Sequence, residues 1–199
     1  ISIPMLHLYF SEMKIAVTKQ HLAKIHLSGV YNLCQWNDNE FISAGGDGQL
    51  LLWNIASPEK IILIQKLPAQ IFSLAKLNDQ LLIAGCINGI IYLIDIKEKS
   101  LLSYQDSLAG SVFDFLVLNE TYFISAHKNG SVIYWNSELE QQFKLKIDSN
   151  SLRSMATENQ SQLLMTGSSG KVFWIDALSK KIEKEINTLR NSLKNLTRI

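Results

Sequence analysis

The feature that most limits this chain is a repeat of about 41 residues. Gly48, Gly89, Gly130 and Gly170 lie 41, 41 and 40 residues apart. Asp47, Asn88, Asn129 or Ser169 precedes each glycine, and an apolar run follows: Gln49 to Trp53, Ile90 to Ile94, Ser131 to Trp135 and Lys171 to Ile175. Each run ends on a short polar residue, Asn54, Asp95, Asn136 or Asp176. Asp-Gly and Asn-Gly are strong hairpin signals, because glycine takes a positive φ cheaply and Asp or Asn tolerates it. The incoming strands are Phe41 to Ala44, Leu81 to Ala84, Phe123 to Ala126 and Leu163 to Thr166. Apolar residues at successive positions imply strands covered on both faces.

A third strand keeps the period: Val30 to Leu33, Ile71 to Leu74, Val112 to Phe115 and Leu152 to Met155, with a fifth copy at Leu193 to Leu196. Its third residue is always small or polar: Asn32, Ser73, Asp114, Ser154, Asn195. That pattern suits the crowded inner wall of a tapering ring. A looser fourth strand follows each outgoing run, as in Ile61 to Ile64 and Phe143 to Ile147. Four short strands per repeat predict an all-β propeller of four-stranded blades.

The stretch from Phe41 to Asn54 (FISAGGDGQLLLWN) resembles the second and third strands of a WD repeat, with Trp53-Asn54 in place of Trp-Asp. Ile94-Asp95, Trp135-Asn136 and Ile175-Asp176 are weaker versions. The resemblance covers about residues 21 to 199. It implies a non-catalytic scaffold that binds protein or peptide partners. The family's Gly-His pair is missing before the inner strands, where the chain reads Leu27-Ser28-Gly29, Leu67-Pro68-Ala69, Leu108-Ala109-Gly110 and Asp148-Ser149-Asn150. The expectation is therefore that Ser43, Asp47 and Trp53 have no histidine partner, and that the blades rely on apolar packing.

Four full blades are expected at about 28–66, 69–107, 110–147 and 150–187, with the start of a fifth after them. Residues 13–199 read as propeller and residues 1–12 as an N-terminal extension, either upstream readthrough or part of a longer chain. Residues 21–27 match an outermost strand. These ends suggest a piece of a larger ring, seven blades being usual for the resemblance. Closure at five blades, using 5–10, 14–19 and 21–27, is the alternative. Ile182, Ile186, Leu189, Leu193 and Leu196 also fit a helical stripe, but repeat register favours strands over 180–199.

Formal charge of +1 offers no bulk attraction to nucleic acid or membrane, and no apolar run reaches bilayer length. Cys34 and Cys86 lack metal-ligand spacing and read as reduced thiols, which points to the cytoplasm. His7, His21, His26 and His127 make no metal pattern, and His127 reads as a solvated residue near a turn. No catalytic residue, cofactor-binding residue or metal ligand is expected. Asp114, between two phenylalanines, is expected to face the central channel. Partner contacts are expected on the face whose loops enter the inner strands, at Tyr31, Gln70, Ser111, Lys128, Ser151 and Arg153, although Tyr31 fits equally between blades. Two further readings stay open. Residues 170–180 resemble a repeat of quinoprotein-type propellers, without the glycine and tryptophan that usually follow. The propeller also suits one domain of a larger enzyme.

Overall fold

The computed structural model describes residues 25–157 and 161–188. They form sixteen strands in four antiparallel meanders. Blade one holds β1 (Val30–Gln35), β2 (Glu40–Gly45), β3 (Gln49–Asn54) and β4 (Ile61–Lys66). Blade two holds β5 (Ile71–Lys76), β6 (Leu81–Cys86), β7 (Ile90–Asp95) and β8 (Ser100–Asp106). Blade three holds β9 (Val112–Asn119), β10 (Tyr122–His127), β11 (Ser131–Asn136) and β12 (Gln141–Lys146). Blade four holds β13 (Leu152–Thr157), β14 (Gln162–Gly167), β15 (Lys171–Asp176) and β16 (Ile182–Asn187). The inner strands β1, β5, β9 and β13 pack on one another in turn, so the blades fan around a common axis. The disputed segment is a strand over 182–187. The proposed strands at 5–10 and 14–19, and the copy at 193–196, lie outside the described residues.

The core sits between blades, because a period of two sends alternate residues to opposite neighbours. In blade two, Leu82, Ala84 and Ile94 meet Ile42, Ala44 and Leu50 of blade one. Ile83, Ile91 and Leu93 meet Phe115, Phe123, Ile133 and Trp135 of blade three. Ile124, Val132 and Tyr134 then pack on Leu163, Met165 and Phe173 of blade four.

The repeated turn residues have two structural tasks. Asp47, Asn88 and Asn129 accept the backbone N–H two residues on, from Gln49, Ile90 and Ser131. Asn54, Asp95, Asn136 and Asp176 cap the next connection the same way, accepting from Ala56, Glu98, Glu138 and Ser179. These are the side-chain turns that such short polar residues favour. Gly48 sits at φ 74°. A Cβ there would collide with the Leu67 carbonyl, so the position requires glycine.

Two backbone hydrogen bonds recur at every one of these turns. The outer strand returns to donate from Leu67, Ser107, Ile147 and Thr188 to the carbonyls of Gly48, Gly89, Gly130 and Gly170, at 2.8–3.1 Å. The turn itself donates from Gly46, Ile87, Lys128 and Ser168 to the carbonyls of Gly29, Gln70, Ser111 and Ser151, at 2.9–3.0 Å. Together they tie the turns and the entry loops into one rim, called the loop face below.

Candidate functional site

Each inner strand breaks register at its second residue. Pairing passes from Val30↔Gly45 to Asn32↔Ala44, leaving Tyr31 without a partner on β2. It likewise skips Phe72 between Ile71↔Cys86 and Ser73↔Gly85. Phe113 is skipped between Val112↔His127 and Asp114↔Ala126. Arg153 is skipped between Leu152↔Gly167 and Ser154↔Thr166. A bulge twists its strand and re-aims the extra side chain. Four equivalent bulges therefore aim four equivalent side chains the same way.

The four side chains meet in a row. The Tyr31 ring stands edge-on to Phe72, with centroids 5.2 Å apart and planes at 71°. Phe72 stacks on Phe113 at 5.8 Å and 11°. The Arg153 guanidinium lies 3.7 Å above the other face of Phe113. The row crosses all four blades, and only its ends are open: Tyr31 is 50% exposed and Arg153 is exposed, while Phe72 and Phe113 are half-buried. Burial of part of the guanidinium lowers the Arg153 pKa. Its Nε–H donates to Ser151 Oγ at 3.1 Å, and no carboxylate among the described residues pairs with it.

The six residues expected to contact a partner divide into two groups. Tyr31 and Arg153 end the row, and Gln70 and Lys128 are exposed on the same rim. Tyr31 is thus not enclosed between blades. Ser111 and Ser151 are buried, and their hydroxyls are engaged with the Ile87 carbonyl and with Ser168 Oγ. Those two serines fasten the rim and present little to a partner. Phe72 and Phe113 carry the middle of the row, and sequence reasoning passed over them.

Two expectations about histidine are overturned. His26, four residues before β1, completes a buried relay in blade one. Its Nδ1–H donates to the Asp47 carboxylate at 3.0 Å, and its Nε2 accepts from Ser43 Oγ–H at 2.7 Å. Trp53 Nε1–H donates to the same Ser43 Oγ at 2.7 Å. The imidazole reaches over from one residue before the Leu27-Ser28-Gly29 stretch, where the family's pair would stand. Burial alone would raise the Asp47 pKa, but hydrogen bonds from the Gln49 amide, His26 and the Leu27 amide outweigh it and lower the value.

His127 is likewise not a solvated loop residue: it ends β10 with no exposed surface. Its Nε2 accepts from Ser125 Oγ–H at 2.6 Å, Trp135 Nε1–H donates to Ser125 at 2.7 Å, and Nδ1–H donates to the Gly110 carbonyl at 3.2 Å. Burial pushes its pKa down to about 4. The expectation of blades held by apolar packing holds for blade two, where Ala84 and Ile94 occupy the Ser43 and Trp53 positions. In blade four, Ser169 Oγ–H donates to Asp148, with the acid on the entry loop and the hydroxyl at the turn.

Asp114 lines a channel cavity of about 460 Å³ with Asn32, Lys76 and Ser154. Its oxygens accept from the Phe115 amide at 2.9 Å and, across the blade gap, from the Met155 amide at 2.7 Å. The carboxylate thus stitches blade three to blade four. Among the described residues no group of three His, Cys, Asp or Glu side chains is placed to hold a metal ion. None of their helices is long and apolar enough to cross a membrane.

With this geometry in place, comparison with known proteins adds two points. Residues 18–54 match the family model described as WD domain, G-beta repeat. That span includes His26, Ser43, Asp47 and Trp53. The backbone is similar to the crystal structure of the computationally designed Ika8 protein, with a TM-score of 0.74 and 20% identity over 86% of this chain and 53% of that one. The chain therefore spans about half the length of that protein, and the likeness concerns the fold. No curated protein matches.

Proposed function

We propose that this propeller chain, whose residues 18–54 match a WD-repeat family model, acts as a non-catalytic scaffold docking protein or peptide partners on its loop face. WD repeats typically mediate protein–protein interactions. The observation that carries the reading is the row Tyr31–Phe72–Phe113–Arg153, a continuous aromatic and cationic strip seated on four bulges. Aromatic and arginine side chains dominate binding hot spots, and a rigid seat lowers the entropic cost of docking. The same reading sets the protein in the reducing cytoplasm, supported by the free thiols of Cys34 and Cys86.

The test is site-directed photo-cross-linking in the protein's own cells. A cross-linking amino acid replaces Lys128 on the loop face, or Glu98 on the opposite rim. Protein adducts at Lys128 but not at Glu98 are expected. Adducts confined to Glu98 would move the docking face to the other side.

A further inference from the structure

We propose that the partner segment received by the loop face is an acidic peptide, whose carboxylates are gathered by Arg153 and the lysines of the same rim; this rests on the loop face being the docking face. Three observations lead there. First, Arg153 is a cation with an open hydrogen-bonding edge. Phe113 covers one side of the guanidinium and Ser151 takes its Nε–H, so the terminal N–H groups remain for a planar, bidentate carboxylate.

Second, the two faces of the disc differ in free charge. On the loop face stand Lys66, Lys128 and Lys146 with Arg153, at the ends of β4, β10, β12 and β13. Its carboxylates are largely spent: His26 holds Asp47, Ser169 holds Asp148, and among the described residues of this rim only Asp106 is exposed. The opposite rim carries the surplus of acid, including Glu59, Glu98, Glu120 and Glu138. Such a field steers an acidic segment to one face and turns it from the other.

Third, the ring faces in the middle of the row are already occupied. Phe72 and Phe113 stack on each other, the other Phe113 face is under Arg153, and Tyr31 abuts Phe72. What the two phenylalanines offer a partner is chiefly ring edges, the positive end of the aromatic quadrupole. Edges favour carboxylates, whereas nucleobases seek open ring faces. The opposite acidic rim and the overall charge of +1 also disfavour a long polyanion.

The probe is a fluorescein-labelled random copolymer of glutamate and tyrosine, titrated with the full chain and followed by anisotropy. A lysine–tyrosine copolymer and a single-stranded oligothymidine serve as comparisons. The expected result is saturable binding of the glutamate copolymer alone, weakening as salt rises. Arg153→Gln should lower that affinity by about tenfold, the loss of one charge-assisted pair. Lys128→Gln should lower it by a smaller factor and, its side chain being exposed, without a shift in melting temperature.

Equal binding of the lysine copolymer, tighter binding of oligothymidine, or an affinity indifferent to Arg153→Gln would overturn the proposal. No binding of the glutamate copolymer, with cross-links still forming at Lys128, would sink the acidic partner and leave the docking face standing. Copolymer binding that is lost on Glu98→Lys but not on Arg153→Gln would sink both.

Discussion

Blades one and three build the same relay from different places. In each, a tryptophan N–H donates to a serine hydroxyl, the serine donates to a histidine Nε2, and the histidine Nδ1–H finds an acceptor. In blade one the imidazole hangs from the entry loop and ends on the Asp47 carboxylate. In blade three it rises from the sheet itself and ends on the Gly110 carbonyl. The position of His127 on β10 corresponds to Gly45 on β2, and Leu108 stands where blade one has His26. The fold therefore specifies a polarity of donors and acceptors around the serine, and leaves open which strand or loop supplies the ring. What differs is charge. The acceptor beside His26 is a carboxylate, while the acceptor beside His127, a ring with no exposed surface, is a neutral carbonyl.

The comparison breaks most sharply at the tryptophans. Trp135 is 1% exposed and stacks on Phe123, so Trp135→Ala should cost about 3–5 kcal/mol in a denaturant titration. Trp53 is half-buried against Phe41, and Trp53→Ala should cost about 1–3 kcal/mol. Equal losses would mean that the relay shared by the two blades, and not burial, sets the cost.

Acid titration tests the blade-three relay next. The folded pKa of His127, about 4, lies below its ordinary value of 6.5, so the unfolded chain binds the extra proton first. The stability this neutral ring protects is complete above pH 6.5 and drains as pH falls toward 4, by on the order of 3 kcal/mol. His127→Gln should flatten that stretch of the stability curve, measured by chemical denaturation at each pH. An unchanged slope would assign the acid sensitivity elsewhere. Asp47, lowered in pKa, holds its contribution above the ordinary carboxylate range and loses it only at lower pH, as its folded form takes up a proton.

The smallest effects should come from the turn. Asp47→Ala strands the His26 N–H and removes acceptors for Leu27 and Gln49, at about 2 kcal/mol. Asn129→Ala, at the matching place in blade three, loses the acceptor for Ser131 and should cost under about 1 kcal/mol. A larger loss at Asn129 would show that its turn, and not the relay, carries the load.

The period, the hairpin glycines and the strand order were legible because each repeats in the residues themselves. Asp-Gly and Asn-Gly announce a turn wherever they stand. His26 escaped because its role depends on how far an entry loop swings back, which neighbouring residue types do not encode. His127 escaped because a histidine beside a lysine and a turn looks wet, and only the packed blade beside it makes the position dry. Phe72 and Phe113 were visible as equivalents of Tyr31 and Arg153, at the second place of each inner strand. The bulge that turns them toward the rim is a register event, and register is a property of two strands together. Ser111 and Ser151 looked available because a short hydroxyl gives no sign of the carbonyl or hydroxyl that claims it.

The paired main-chain links at each turn have a consequence for how such a chain can age. Since the blade's shape is written in main-chain amide and carbonyl groups, one copy can trade a relay for alkyl side chains, and another can set an acid on the entry loop and a hydroxyl at the turn, without unsettling its neighbours. Copies released in this way drift apart in composition while keeping step in space. The first copy, within 18–54, carries the side chains of a WD repeat, while all four share the same main-chain links.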